Sequence, residues 1–329
     1  MFKPIAATAC ATLSFFAAQT ASHVSAADYP SRPVRVIVPY APGGATDIIA
    51  RQLAIKLNEA WGQPVIVENR PGASGNIALE LAARATPDGH TVLVGNVSTN
   101  AINETTFAKV LPIKPSRDLP GVTGLVEIPH LWLAHPSVPA NSLKEMAEHI
   151  KKSGGKMSYA SAGLGSYPHL DVANFLKANG VQMTHVPYKG GAGQIIPALI
   201  GGETQFTMLN MASTLQHVKA NRIKALATTW PTRRPEVPEV PTVAEAGYPG
   251  MGTNAWQGLF APVGLSKPVL EHLHASVVKI MNDAQMKDAL AKQLMYPKLH
   301  KSPAEFSRFV DAEIKHWAKV VKENNIAVE

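Results

Sequence analysis

Short β-branched runs alternate along the chain with stretches in which apolar residues recur every three or four positions. Val34-Arg35-Val36-Ile37-Val38 reads as a buried strand. Residues 39–44 form a turn. From about Thr46 the period lengthens: Ile49, Leu53, Leu57 and Trp61 fall every four residues, and Gly62 is the stop. Val65-Ile66-Val67 is a second strand, 75–85 an Ala-rich helix capped by Ser74, and 91–95 a third strand after the Pro87-Asp88-Gly89 turn. This β-α-β-α-β order predicts an open parallel sheet with helices on its faces.

The pattern then repeats. Ser142-Leu143-Lys144-Glu145 is a capping box opening a helix to about Lys152. Residues 157–160, 184–186, 206–209 and 223–227 read as strands, with helices over 169–179, 194–200 and 214–220 between them. Two extended apolar stretches, 122–133 and 256–261, flank this second set and are expected to cross between lobes. The last part is helical. Leu270, Leu273, Val277 and Ile280 share one face, and Ser302-Pro303-Ala304-Glu305 is a second capping box with Pro at its first helical position.

A length of 329 residues fits two lobes, and 46% apolar with 17% charged residues supports large cores. Residues 1–26 are expected to leave as an export signal. Lys3 is the positive start, 5–18 the apolar run, and Val24-Ser25-Ala26 the cleavage site, giving a mature start near Ala27 in the periplasm. The lone Cys10 leaves with it, which excludes a disulfide framework and any Cys-based zinc site. One Lys and no acid are lost, so the net charge of +7 becomes +6. That balance suits small anions; export and scattered cations argue against nucleic acid. No later run of 18 uncharged apolar residues is present. The expected division is 1–26 signal, 27–128 first part of lobe 1, 129–252 lobe 2, and 253–329 second part of lobe 1.

Three strand-end loops carry candidate chemistry. In Val38-Pro39-Tyr40-Ala41-Pro42-Gly43-Gly44-Ala45-Thr46-Asp47, Gly43 and Gly44 admit close approach to backbone amides, and the helix start favours an anion. Thr46 would add a hydroxyl, and Asp47 would cap the helix or orient the loop. The alternative is a plain turn with a polar cap; no Gly-Lys-Ser/Thr follows, so this is not a Walker loop. In Tyr159-Ala160-Ser161-Ala162-Gly163-Leu164-Gly165-Ser166-Tyr167-Pro168-His169, Ser161, Gly163, Gly165 and Ser166 would hold an anion, with His169 donating to it or only packing. Pro168 stands where a dinucleotide fingerprint needs its third Gly, and after Asp171 the next acid is Glu203. The turn Gly95-Asn96-Val97-Ser98-Thr99-Asn100 would line the same cleft through Ser98 and Thr99, or serve as an ordinary polar turn. Tyr188-Lys189-Gly190-Gly191 is a further strand-to-helix turn, where Lys189 would attract an anion.

Catalytic motifs are missing. There is no G-x-S-x-G elbow and no H-E-x-x-H, and His272 and His274 are two apart on a helix, which points them in different directions. No catalytic residue, metal ligand or cofactor is expected. A secreted hydrolase would need a serine–base pair and is the rival class; a sensory module feeding a membrane signalling protein would use the same site.

The run from Tyr29-Pro30-Ser31-Arg32-Pro33 through Pro42-Gly43-Gly44-Ala45-Thr46-Asp47-Ile48-Ile49-Ala50-Arg51 resembles the Bug-type solute receptors of tripartite tricarboxylate transporters. So do Glu68-Asn69-Arg70-Pro71-Gly72-Ala73-Ser74-Gly75-Asn76, Thr86-Pro87-Asp88-Gly89-His90-Thr91, residues 159–170, His185-Val186-Pro187-Tyr188-Lys189-Gly190-Gly191 and Phe260-Ala261-Pro262-Val263-Gly264. The ordered set spans essentially the whole mature chain. The resemblance implies an α/β, two-lobed periplasmic binding protein of the type II Venus-flytrap kind with a central ligand cleft. It implies that the loops at 39–47 and 161–166 hold a small organic carboxylate from opposite sides, often through ordered water. Tyr40, Thr46, Ser98 and Thr99 would set specificity, and Tyr40, Phe107 and Tyr167 would favour a flat ring if they line the cleft. It also implies a two-component membrane permease that takes over the ligand; the receptor itself is expected to be a monomer.

Overall fold

The computed structural model describes residues 29–188 and 191–326. The expected signal segment, Cys10, and Lys189 with Gly190 lie outside the described residues.

Two sheets carry the chain. The first holds β1 (Val34–Val38), β2 (Val65–Asn69), β3 (Thr91–Asn96), β4 (Gly121–Ile128), β10 (Ala255–Phe260) and the short β11 (Tyr296–Pro297), in the order β11-β4-β10-β3-β1-β2. The second holds β5 (His130–Ala134), β6 (Ser158–Ser161), β7 (Thr184–Pro187), β8 (Phe206–Asn210) and β9 (Lys224–Thr228), in the order β7-β6-β8-β5-β9. Without β11 the two orders are the same: second, first and third strands, then a visitor, then the fourth.

The visitors are β10 and β5, and both run antiparallel to their neighbours. Each enters its sheet directly from the other lobe, without the crossover helix that would return it parallel. The sheets are therefore mixed, where the β-α-β alternation alone predicts parallel ones. The apolar stretch 122–133 is two strands, one per sheet, broken at Pro129, which has no N–H for a ladder. The stretch at 256–261 does not itself cross; it lies in the first sheet as β10, and the crossing is made by the segment before it.

Alternation along β1 fixes the layers. Val34, Val36 and Val38 pack with Ile49, Leu53 and Leu57 of the Ala45–Trp61 helix and with Val269, Leu273 and Val277 of the Lys267–Asn282 helix. Ile37 faces the other way, onto the Asn76–Ala83 and Pro303–Glu323 helices. The second sheet is likewise covered on both faces, by the Leu143–Ser153 and Tyr167–Ala178 helices on one and the Ala192–Ile200 helix on the other.

Both capping boxes form. Ser142 Oγ accepts from Glu145 N at 3.1 Å and Ser302 Oγ from Glu305 N at 3.2 Å, while each glutamate reaches back one residue before the cap, to Asn141 N and Lys301 N. Ser74 does not cap its helix. It sits at φ 56° in a 3₁₀ turn, and Gly75 takes the cap position. Among the described residues no helix is long and apolar enough to cross a membrane.

Candidate functional site

The Ala45–Trp61 helix begins where β1 ends. Its cap is Gly44, in extended geometry and without a side-chain cap bond. The first-turn N–H groups of a helix have no intrahelical acceptor, and the helix dipole adds partial positive charge there. Asp47 shapes this loop from inside: it accepts from Gly43 N (2.9 Å), Arg51 Nε (2.9 Å) and Asn69 Nδ2 (2.8 Å). Burial opposes its charge, but the bonds from Arg51, Gly43 and Asn69 prevail and hold the carboxyl below the usual range. Its oxygens are thus committed within the protein. Thr46 is buried and donates from Oγ1 to Gln257 Oε1 of β10 at 2.7 Å.

The turn after β3 is organised by Asn96. Its Oδ1 accepts from Ser98 N (3.0 Å), Thr99 N (3.2 Å) and the Tyr40 hydroxyl (3.0 Å). Thr99 is fully buried and donates to Asn100 Oδ1 at 2.8 Å, so it supports the turn. Ser98 looks the other way: its Oγ accepts from Tyr167 N of the second lobe at 3.4 Å.

The second loop joins β6 to the Tyr167–Ala178 helix. Ser161 is fully buried. Its Oγ accepts from Gly163 N and donates to Gly163 O, both at 3.1 Å, and shares a 2.6 Å hydrogen bond with His185 Nε2. Those contacts leave Ser161 no open face for attack on a substrate. Ser166 is the cap residue but spends its hydroxyl on Gly163 O at 2.7 Å. His169 Nδ1 accepts from Gly165 N at 3.1 Å, and its ring stacks on His185 with 3.9 Å between centres. Burial and then the neighbouring His185 lower His169 to about 3, so it pins the loop as a neutral ring. Gly165 meets the first lobe: at φ +74°, a Cβ on it would stand 2.5 Å from Thr106 Cγ2.

The geometry therefore brings together Tyr40, Ser98 and Thr106 of the first lobe with Gly165 and Tyr167 of the second at the lobe boundary; Gly43 and Gly44 lie in the Tyr40 loop, and Gly163 and Ser166 in the Gly165 loop. It sets Asp47, Thr99, Ser161 and His169 one step back, as the residues that shape those loops. Phe107 belongs to the first lobe's core. Gln257 and His130 were not picked out by sequence pattern; the only signal for either is a lone polar residue in an apolar stretch. Two cavities, of about 190 Å³ beside Thr253, Glu313 and Lys298 and about 470 Å³ beside Lys287, Met295 and Leu299, include none of these loop residues. Among the described residues no group of three or more metal-ligating side chains occurs.

The two-sheet architecture is matched by known proteins. Residues 49–326 fit the family model described as tripartite tricarboxylate transporter family receptor. The chain belongs to that receptor family. Solved structures similar to this receptor include Rpa4515 of R. palustris with adipate, at 32% identity and TM-score 0.83 over 91% of this chain and 99% of that one. MatC of Rhodopseudomonas palustris, with bound malate, is 32% identical with TM-score 0.79, over 89% and 100%. The periplasmic binding protein BugD is 31% identical with TM-score 0.80, over 92% and 100%. This receptor is thus a two-lobed solute-binding protein of the periplasmic kind, and its family and solved relatives are binding proteins rather than enzymes.

Proposed function

We propose that the mature chain, freed of residues 1–26 in the periplasm, captures a small organic carboxylate at the lobe boundary and delivers it to a two-component membrane permease. The carboxylate would rest between the first-turn amides after Gly44 and the Gly163–Ser166 loop. Backbone dipoles would carry its charge, with no covalent chemistry. The observation that supports the reading is that the Gly163–Ser166 loop meets the turn after β3, where Tyr167 N donates to Ser98 Oγ, and that Tyr40 of the Gly44 loop bonds Asn96 of the same turn. The adipate and malate in the similar structures support the ligand class.

Gly44 gives the sharpest test. Its φ is −81° and a Cβ there meets nothing within 4 Å, so Gly44→Val leaves the fold intact. The valine would stand where the ligand approaches the amides. A thermal-shift screen of carboxylates, followed by calorimetry, is run on periplasmic protein whose intact mass shows the loss of residues 1–26. We expect a carboxylate to bind, its amide analogue to bind far more weakly, and Gly44→Val to bind at least tenfold more weakly while still unfolding cooperatively, at a melting temperature lowered only slightly by valine at the helix cap. Undiminished affinity in Gly44→Val together with tolerance of the amide would remove the site.

A further inference from the structure

Hydrogen positions at the lobe boundary can be assigned from partners that only accept or only donate. Asn96 Oδ1 receives the backbone N–H groups of Ser98 and Thr99, which fixes it as the amide oxygen. The Tyr40 hydroxyl, 3.0 Å from that oxygen, must therefore donate its proton to it.

The same logic settles Tyr167. His130 is fully buried at the start of β5, and its Nδ1 lies 2.9 Å from Ile128 O. A carbonyl only accepts, so Nδ1 carries the ring proton. Burial lowers His130 to about 4, so the ring is neutral and Nε2 is a bare acceptor. The Tyr167 hydroxyl, 2.6 Å away, donates to it. Burial also raises both phenols, Tyr40 to about 12, so neither ionises near neutral pH.

Both tyrosines have thus spent their only proton inward, and what remains on each oxygen is lone pairs, which on Tyr40 the Ser98 and Thr99 hydroxyls also face. They come from opposite lobes and are close enough that charge on Tyr40 raises Tyr167. Each sits beside one helix start: Tyr40 four residues before the Gly44 cap, Tyr167 directly after Ser166. The boundary is therefore polarised. The loops offer amide donors and the phenols offer acceptors.

We propose that Tyr40 and Tyr167 form an acceptor subsite that selects a carboxylate carrying an additional O–H or N–H donor, such as a hydroxy acid or an amino acid, over the same acid without one. This rests on the carboxylate-receptor reading and narrows its ligand class. A donor-free acid adds nothing to the bonds these oxygens already have, His130 for Tyr167 and Asn96 with the Ser98 and Thr99 hydroxyls for Tyr40, or turns its own anionic oxygens towards them; a hydroxyl or ammonium group supplies a further donor. The proton assignments make the preference one-directional, because neither tyrosine can turn its O–H to the ligand without abandoning a buried acceptor.

Matched series test it by calorimetry: succinate against malate and aspartate, glutarate against 2-hydroxyglutarate and glutamate, and phenylacetate against mandelate. In the series that binds, the donor-bearing acid should bind about tenfold more tightly than its donor-free partner, as one neutral hydrogen bond allows. The hydroxyl and amino arms tell the two donor sources apart. Tyr40→Phe and Tyr167→Phe should each shrink that ratio towards one. A merely structural role would weaken both members of a pair equally and leave the ratio unmoved, and having two variants guards against one failing to fold. Equal or tighter binding of the donor-free acid, or a ratio that survives in both variants, overturns the proposal while the receptor reading stands. Failure of every carboxylate, including the series above, overturns the receptor reading and this proposal with it.

Discussion

His169 and His185 stack at 3.9 Å between ring centres, and His130 lies fully buried where the chain passes between lobes. Burial lowers His130 and His185 to about 4, and burial with the His185 neighbour lowers His169 to about 3. In the unfolded chain each returns to about 6.5. The unfolded state therefore takes up protons first as pH falls. The stability these rings contribute is complete above about pH 6.5 and drains away towards about pH 4, at about 1.4 kcal/mol per pH unit for each ring. Urea unfolding followed by circular dichroism should show a clear loss between pH 7 and pH 5. His169→Gln keeps an acceptor for Gly165 N and has no ring proton to gain, so it should flatten that slope. A slope identical to the parent would mean that His169 titrates normally in the folded state.

The Tyr167–Ala178 helix belongs to the second sheet yet works across the boundary. Leu170 packs into the first lobe's core, Lys177 Nζ donates to Glu323 O, and Asp171 bonds Thr253 on the return crossing. Asp171 accepts from Thr253 N and meets Thr253 Oγ1, both at 3.1 Å, with Glu313 of the Pro303–Glu323 helix nearby. Burial, and secondarily Glu313, raise it to about 8 against the pull of the Thr253 bonds. An acid whose pKa is raised on folding loses its proton first in the unfolded chain, so this stability is greatest below about pH 4 and declines as pH climbs towards 8. Protonated Asp171 can accept from Thr253 N and donate to Thr253 Oγ1, and an amide does the same. Asp171→Asn should therefore be more stable than the parent at pH 8, by a smaller margin at pH 5, and level with it only below about pH 4, by urea midpoint. Lower stability at both pH values would show that the carboxylate is ionised and needed.

Elements of this kind were unevenly legible in the chain. The helix stripe of Ile49, Leu53 and Leu57 and both capping boxes are local patterns, and the sequence displays them directly. The strands β5 and β10 look like any other apolar run, because strand direction depends on which lobe the chain has just left. Ser74 looked like a cap because Ser favours caps, but the tight turn at Gly72 and Gly75 leaves it in left-handed geometry instead. At the proposed site, the two Gly-rich loops are readable as strand-to-helix turns from their spacing. Their internal division was not: Asp47, Ser161 and Thr99 turned inward because partners far along the chain or in the next turn claim their oxygens.

Two lobes of the same strand order, joined by the Pro129 passage and the return segment before β10, make a molecule whose parts can close on a ligand. Among the contacts across the boundary, Gly165 against Thr106 is one that an added side chain would obstruct. A side chain at Gly165 faces two obstacles, its φ of +74° and Thr106 Cγ2 at 2.5 Å from the added Cβ. Gly163 shares only the first: its φ is +117°, and a Cβ there meets nothing within 4 Å. Comparing Gly165→Ala with Gly163→Ala therefore separates backbone strain from obstruction of closure. Small-angle scattering at saturating ligand should show the parent and Gly163→Ala becoming more compact, and Gly165→Ala staying wider with an affinity reduced about tenfold or more. Thr106→Ser replaces the methyl with hydrogen and should restore closure to Gly165→Ala without help from the backbone. If Gly165→Ala closes as fully as Gly163→Ala, the contact does not limit closure. If the parent keeps the same radius with and without bound ligand, the lobes do not move far enough for any boundary residue to gate them.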